Sequence, residues 1–152
     1  MMTFLTSVVR IVLPLPEEVA GLCRLNGRIT TAEITSQGWF RIARLSDGVS
    51  GLVNISKRWS NQPPVGILLY FDGSLYGLHV KQLAGTLNPS FITKARINST
   101  SSGKYLEIYY NLDKENTVYF SWSNIVLSLD ILMFEPSTED GEVSEINISN
   151  IR

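Results

Sequence analysis

Apolar and polar positions alternate along most of this chain in short runs, each cut off by turn residues. The punctuation is dense: LNGR, SDGVSG, NQPPVG, FDGS, LNPS, STSSGK and LDKEN. Between the turns the runs are rich in β-branched and aromatic residues, the composition that suits a pleated, half-buried surface. Strands are expected over residues 22–34, 39–45, 51–56, 66–71, 76–83, 91–98, 104–110 and 117–122. A spacing of about ten residues indicates a meander, a sandwich or a small barrel.

The clearest local unit is KYLEIYYNLDKENTVYFSW, residues 104–122. Leu106, Ile108 and Tyr110 alternate with Glu107 and Tyr109, as the two-residue period of a strand requires. The loop LDKEN then leads into Val118, Phe120 and Trp122, so a β-hairpin is expected here. The next run, SNIVLSLDILMF, fits two patterns. Ile125, Leu129 and Leu132 would line one face of a short helix capped by Ser123, whereas Ile125, Leu127, Leu129 and Ile131 alternate as in a strand. Its β-branched content favours the strand.

At the start, MMTFLTSVVRIVLPLPEEVAG is apolar but broken by Arg10, Pro14 and Pro16. Its uncharged runs are too short to span a bilayer, and no basic residues lead into the apolar run. It is expected to be a strand or arm that docks on the body. From Glu135 onward the sequence EPSTEDGEVSEINISNIR is polar and acidic, the composition of a flexible tail. The organisation expected is therefore one β-rich domain over 1–134, with a core at 21–83 and a hairpin extension at 91–134, then an acidic tail at 135–152.

Composition narrows the functions. The 152 residues are 44% hydrophobic and 18% charged, enough to bury a core without disulfides or metal. A single cysteine, Cys23, cannot close an internal disulfide, which suits a reducing, cytoplasmic setting. One histidine, His79, stands without a nucleophile or carboxylate near it in sequence, and the phosphate-loop, dinucleotide and metal signatures are missing. Neither catalysis, a cofactor nor a metal site is expected. The Asn-x-Ser/Thr triplets at Asn54, Asn98 and Asn147 carry no weight without a secretion signal. Charge is unevenly spread: residues 1–112 hold 11 Lys or Arg against 6 Asp or Glu, and residues 113–152 hold 2 against 8. A basic body with an acidic end suits a polyanion partner, or a tail that mimics one.

In LNGRITTAEITSQGWFRIARLSDGVSGLVNISKRW, Gly27 precedes a strand with Ile29, and Gly38 with Phe40 opens the next. A DG turn then leads to GLVNIS, residues 51–56, and further on a turn at Asp72 leads to a strand ending near Lys81. Over residues 21–83 this resembles the S1 RNA-binding domain, a small antiparallel barrel of the OB-fold. The resemblance implies an all-β barrel, extended here by the C-terminal hairpin, and single-stranded RNA as ligand. Of the family's binding positions Phe40 carries over, while Gln37, Asn54 and Tyr76 replace an aromatic, a histidine and an arginine.

The residues themselves suggest where a ligand would sit. Single-stranded nucleic acid is held by aromatic faces, worth about 1–3 kcal/mol per stacked base, in a groove lined with Lys and Arg. In WFRIARL, Trp39 and Arg41 share one strand face and Phe40 joins Ile42 on the other. SKRWSNQPP adds Lys57, Arg58 and Trp59. The expected site is a basic aromatic surface of Trp39, Arg41, Lys57, Arg58 and Trp59, beside Phe40, which the acidic tail would modulate. Because Trp, Tyr and Arg also dominate protein interfaces, a protein partner meeting the same surface is the alternative. A barrel enclosing a small apolar ligand is the third reading, from the aromatics of residues 105–122.

Overall fold

A computed structural model describes residues 30–58, 65–73, 79–86, 91–127, 130–138 and 140–149. Ten strands follow one another without a helix among these residues: β1 Thr30–Glu33, β2 Gly38–Leu45, β3 Ser50–Lys57, β4 Val65–Asp72, β5 His79–Gly85, β6 Ile92–Thr100, β7 Gly103–Tyr110, β8 Thr117–Val126, β9 Asp130–Pro136 and β10 Glu142–Asn147. All pairings are antiparallel. They make two five-stranded sheets, sheet A in the order β1-β8-β3-β4-β5 and sheet B in the order β10-β6-β7-β2-β9.

The strand pattern read from the sequence is largely present, and the all-β class holds. How the strands join is different. Among the described residues no closed barrel forms; two sheets face each other across an apolar layer. The expected hairpin over residues 104–122 is not one. β7 pairs with β6 and β2 in sheet B, while β8 pairs with β1 and β3 in sheet A. The loop between them crosses from sheet to sheet, with the Asn111 amide donating to Phe91 (2.8 Å) at one end and the Asn116 carbonyl accepting from Ile34 (3.0 Å) at the other. The hairpin is instead β6–β7, which closes at Thr100 and Gly103. Likewise β2 and β3 enter different sheets rather than forming a meander.

Sheet-switching follows from where the apolar rows point. Ile42, Ile97, Leu106 and Ile108 of sheet B and Val53, Ile55, Leu69, Phe71 and Val118 of sheet A bury their inward faces in one cluster. Each such side chain contributes about 1.5–3 kcal/mol by leaving water. The space between the sheets is filled by these side chains, which leaves the enclosed-ligand reading without support. A loop that stays in one sheet would extend a sheet whose second face has nothing to pack on.

Residues 123–134 are not helical where described. Ser123–Val126 ends β8, Leu127 takes a left-handed φ of 57°, and β9 follows from Asp130. Within β9, Ile131 pairs with Ala43 and Glu135 with Arg41, so Leu132, Met133 and Phe134 bulge out opposite one residue of β2. The left-handed Met133 (φ 50°) and Phe134 (φ 63°) turn the Phe134 ring into the core, edge-on to Phe120 at 5.5 Å. The acidic end is not a loose tail over its described length. Glu142–Asn147 pairs with β6, and beyond it Gln82 of β5 exchanges two hydrogen bonds with the Ser149 backbone (2.7 and 2.8 Å), tying the end of the chain to sheet A. Composition hid this because β10 is an edge strand with mostly exposed side chains.

Cys23, Trp59, residues 22–29 of the first expected strand and residues 76–78 of the fifth lie outside the described residues. Among the described residues no helix is long and apolar enough to cross a membrane.

Tyr110 and Lys57 hold the crossing loop. Tyr110 is fully buried, and its hydroxyl donates to Asn116 (3.2 Å) and accepts from Lys57 Nζ (3.5 Å). Burial, reinforced by the carboxylates of Asp113 and Glu33, pushes the phenol up to about 12. Burial also lowers the Lys57 ammonium, against the opposing pull of Asp113, Glu115 and Glu33. The two act in opposite senses. As Lys57 sheds its proton in the fold before the unfolded chain does, stability rises with pH until the unfolded lysine titrates near 10.5. Tyr110 stabilises fully below pH 10, and that contribution drains away as pH climbs to about 12. Denaturant unfolding should therefore show a loss of about 2–3 kcal/mol between pH 10 and 12 that is absent from Tyr110→Phe. Equal slopes for the two proteins would contradict this.

Candidate functional site

The outward face of sheet B gathers the chemistry. In β7 the two-residue period sends Leu106, Ile108 and Tyr110 to the core, and Tyr105, Glu107 and Tyr109 to the other side. Registers across the sheet then set two rows. One runs Lys94–Tyr109–Trp39, on β6, β7 and β2. The next runs Glu145–Arg96–Glu107–Arg41–Glu135 across all five strands, so charge alternates at every step.

Glu107 is the centre of that row and is fully buried although it points away from the core. Arg96 Nε donates to its Oε2 at 2.7 Å and Arg41 Nε to its Oε1 at 3.3 Å. Asn98 Nδ2 reaches both oxygens (3.3 and 3.2 Å), and Ser137 Oγ donates to Oε1 at 2.7 Å. Each guanidinium also sits over an aromatic ring: Arg96 over Trp39 at 4.0 Å and Arg41 over Tyr105 at 3.9 Å. Trp39 in turn meets Tyr109 edge-on at 5.4 Å. Charge-assisted bonds in so dry a setting are about twice as strong as neutral ones.

The cover comes from the connection between β9 and β10. These strands occupy opposite edges of sheet B, so the chain joining them must cross the three inner strands. It does so on the outward face as a strap. The Ser137 amide donates to the Trp39 carbonyl (2.9 Å), Asp140 accepts from Arg96 Nη2 (3.1 Å), and the Gly141 amide donates to Asn98 Oδ1 (2.9 Å). Arg41 and Arg96 keep only 13% and 8% of their side chains exposed.

Of the expected site residues, the structure brings Trp39 and Arg41 together on this face and places Phe40, Lys57 and Arg58 elsewhere, while Trp59 lies outside the described residues. Phe40 is buried in the core at 4% exposure. Lys57 alternates inward with Val53 and Ile55, is fully buried, and pairs with Asp113 at 3.7 Å beneath the crossing loop. Arg58 is exposed beyond the end of β3, on the sheet A side. The β-bulge between Arg41 and Ala43 turns Arg44 outward as well, where it donates to the Ser102 carbonyl at 3.1 Å.

Sequence reasoning passed over Glu107, Arg96, Asn98, Tyr105 and Ser137. A mid-strand carboxylate flanked two residues either side by tyrosines was legible as a face of its own. That Arg41 and Arg96 flank it depends on which strands neighbour β7, and local pattern does not carry that. With Lys94 and Arg44, four cations share the face with four carboxylates: Glu107, Glu135, Asp140 and Glu145. No surplus of positive charge is left on it. His79 is exposed at the start of β5, and no cluster of His, Cys, Asp or Glu able to hold a metal occurs among the described residues. Comparison with protein-family models, curated proteins and solved structures finds no match to this chain.

Gly141 tests the strap. A Cβ there would collide with the backbone carbonyl of Ser99 and sit 3.0 Å from Thr100 Cα, atoms that cannot move aside without disturbing β6. Gly141→Ala should lower stability by about 1–3 kcal/mol. It should also speed hydrogen exchange at Ser137 and Gly141 while leaving β3 and β4 protected. Unchanged exchange at those two amides would contradict the strap's fit.

Proposed function

We propose that this chain is a non-enzymatic interaction module that meets a protein partner through the outward face of sheet B, about Trp39 and Tyr109. The observation that carries the proposal is the half-exposed Trp39–Tyr109 pair, fixed from beneath by the Arg96 guanidinium and the buried Glu107 network. Three features support it. Trp, Tyr and Arg held rigidly are the residues that dominate protein interfaces, because little entropy is lost when they are covered. Trp39, Tyr109 and Lys94 are half-buried rather than covered, so an apolar body with polar tips faces water. The charges that stay exposed around them, Lys94, Glu145 and Glu135, are of mixed sign, which selects a partner with the complementary pattern more sharply than it attracts any polyanion.

The single-stranded nucleic acid reading asks for a track of unneutralised cations. Here Arg41, Arg96 and Lys94 each meet a carboxylate, and Lys57 points inward. An S1-like barrel would present its ligand on strands of one curved sheet, whereas strands within 30–85 divide between two sheets. Neither the resemblance nor the overall charge asymmetry therefore carries the proposal. A reducing cytoplasm remains the setting that a single cysteine suggests.

Two measurements made together test it. A fluorescence-anisotropy titration against a mixed single-stranded RNA and DNA pool at low ionic strength should show no binding. Affinity capture from nuclease-treated extract should recover one stoichiometric protein, whose retention falls at least about tenfold with Tyr109→Ala, the loss typical of an interface aromatic. Oligonucleotide binding that weakens steeply with salt and is lost in Trp39→Ala would overturn the proposal in favour of nucleic acid.

A further inference from the structure

Residues 140–149 are attached to sheet B rather than packed into it. None of them is buried, and of their apolar side chains only Ile146 and Ile148 pack against the core. What holds the segment is mostly backbone and polar: the β6 ladder from Lys94 to Ser99, the Ile148 amide on the Thr93 carbonyl (2.8 Å), and the Ser149 backbone on Gln82. Parts of a fold with few buried apolar contacts and water-facing hydrogen bonds open at the lowest free energy.

The segment's charge is one-sided. Asp140, Glu142 and Glu145 stand among these ten residues without a lysine or arginine. Two of them meet cations of β6: Asp140 accepts from Arg96 Nη2 at 3.1 Å, and Glu145 from Lys94 Nζ at 2.8 Å. Asp140 is 86% exposed, so its ion pair faces water and another carboxylate can replace it at small cost. Gly141 sits beside it, where its amide donates to Asn98 Oδ1 at 2.9 Å and the Ser99 carbonyl leaves no room for a Cβ. Lifting the segment away takes Asp140 and Glu145 from a face of four cations and four carboxylates. Lys94, Arg96, Arg41 and Arg44 then face Glu107 and Glu135 alone, beside a bare β6 edge.

We infer that residues 140–149 are a built-in occupant of the β6 edge, and that the partner protein docks there with an extended acidic segment that takes their place. The inference rests on the outward face of sheet B being the partner face. Charge complementarity selects the occupant: its segment carries a carboxylate followed by glycine, then a second carboxylate four residues on, as Asp140, Gly141 and Glu145 do. Strand addition supplies affinity through backbone bonds to β6, and alternate side chains supply selectivity. A nucleic acid matches the charge but has no peptide backbone to continue the ladder. The resident segment competes at an effective concentration in the millimolar range, so it keeps the edge closed to weak or mismatched binders.

Hydrogen exchange on the unmodified chain tests whether the segment opens by itself. Amides bonded between β10 and β6 should exchange roughly 100-fold faster than those bonded between β6 and β7. Equal rates would make β10 an integral strand and overturn the inference. Replacement is read by fluorescence anisotropy at low ionic strength with a labelled synthetic peptide of residues 140–149, DGEVSEINIS. In the full chain, Glu145→Lys sets two ammonium groups against each other, and should raise peptide affinity about fivefold over the unmodified chain. Gly141→Ala or Glu145→Lys within the peptide should abolish that binding. A peptide that binds neither chain would overturn the inference, while a captured protein that still depends on Tyr109 would leave the partner face standing. A labelled oligothymidine that binds the Glu145→Lys chain in preference to the peptide would give the edge to nucleic acid instead.

Discussion

A carboxylate that leaves water must be given partners, and Glu107 organises sheet B because of that requirement. Desolvating one isolated carboxylate costs several kcal/mol even after the protein relaxes. Five donated hydrogen bonds from four side chains meet that cost: Arg96, Arg41, Asn98 and Ser137. Those donors come from β2, β6 and the strap, so satisfying one residue of β7 fixes the position of three other segments. The rings of Trp39 and Tyr105 take their places as a consequence, since each lies against a guanidinium already aimed at Glu107. Loss of the strap would reopen the carboxylate to water from one side, so cover and network depend on each other.

Beneath this polar layer the fold is held by sheet-to-sheet packing of a more ordinary kind. Loops that switch sheets, at residues 46–49 and 111–116, place successive strands on opposite sides of the core. The β9 bulge and the Gln82–Ser149 bonds then seal two of its margins, one with the Phe134 ring and the other with backbone hydrogen bonds. A chain with many short strands can close in this way without a barrel.

Period-two alternation made most strands legible from sequence, because a strand's two faces meet different solvents and the residues record it. Connectivity was less legible. The six residues from Asn111 to Asn116 are compatible with a hairpin return or a crossing, and only the opposing core decides between them. Lys57 illustrates the same limit. It sits at the end of SGLVNISK on the inward parity, yet a lysine beside Arg58 and Trp59 looks like surface until Tyr110 and Asp113 arrive from distant sequence. β10 escaped notice for the reverse reason. An edge strand exposes most of its side chains, so an acidic composition describes it as well as it describes a tail.

The proposed function rests on the balance of charge rather than its total. Had Arg41 and Arg96 stood free beside Trp39, the face would attract polyanions; paired through Glu107, they lie neutralised beneath the strap and hold Trp39 in place. The most direct measurement of that pairing is a double-mutant cycle by denaturant unfolding on Arg96→Met and Glu107→Gln. A shared buried pair predicts that the double variant is more stable than the sum of the single losses implies, by about 1.5–3 kcal/mol. Additive losses within about 0.5 kcal/mol would mean that the two groups do not depend on each other, and would contradict Glu107 as the residue on which the face is built.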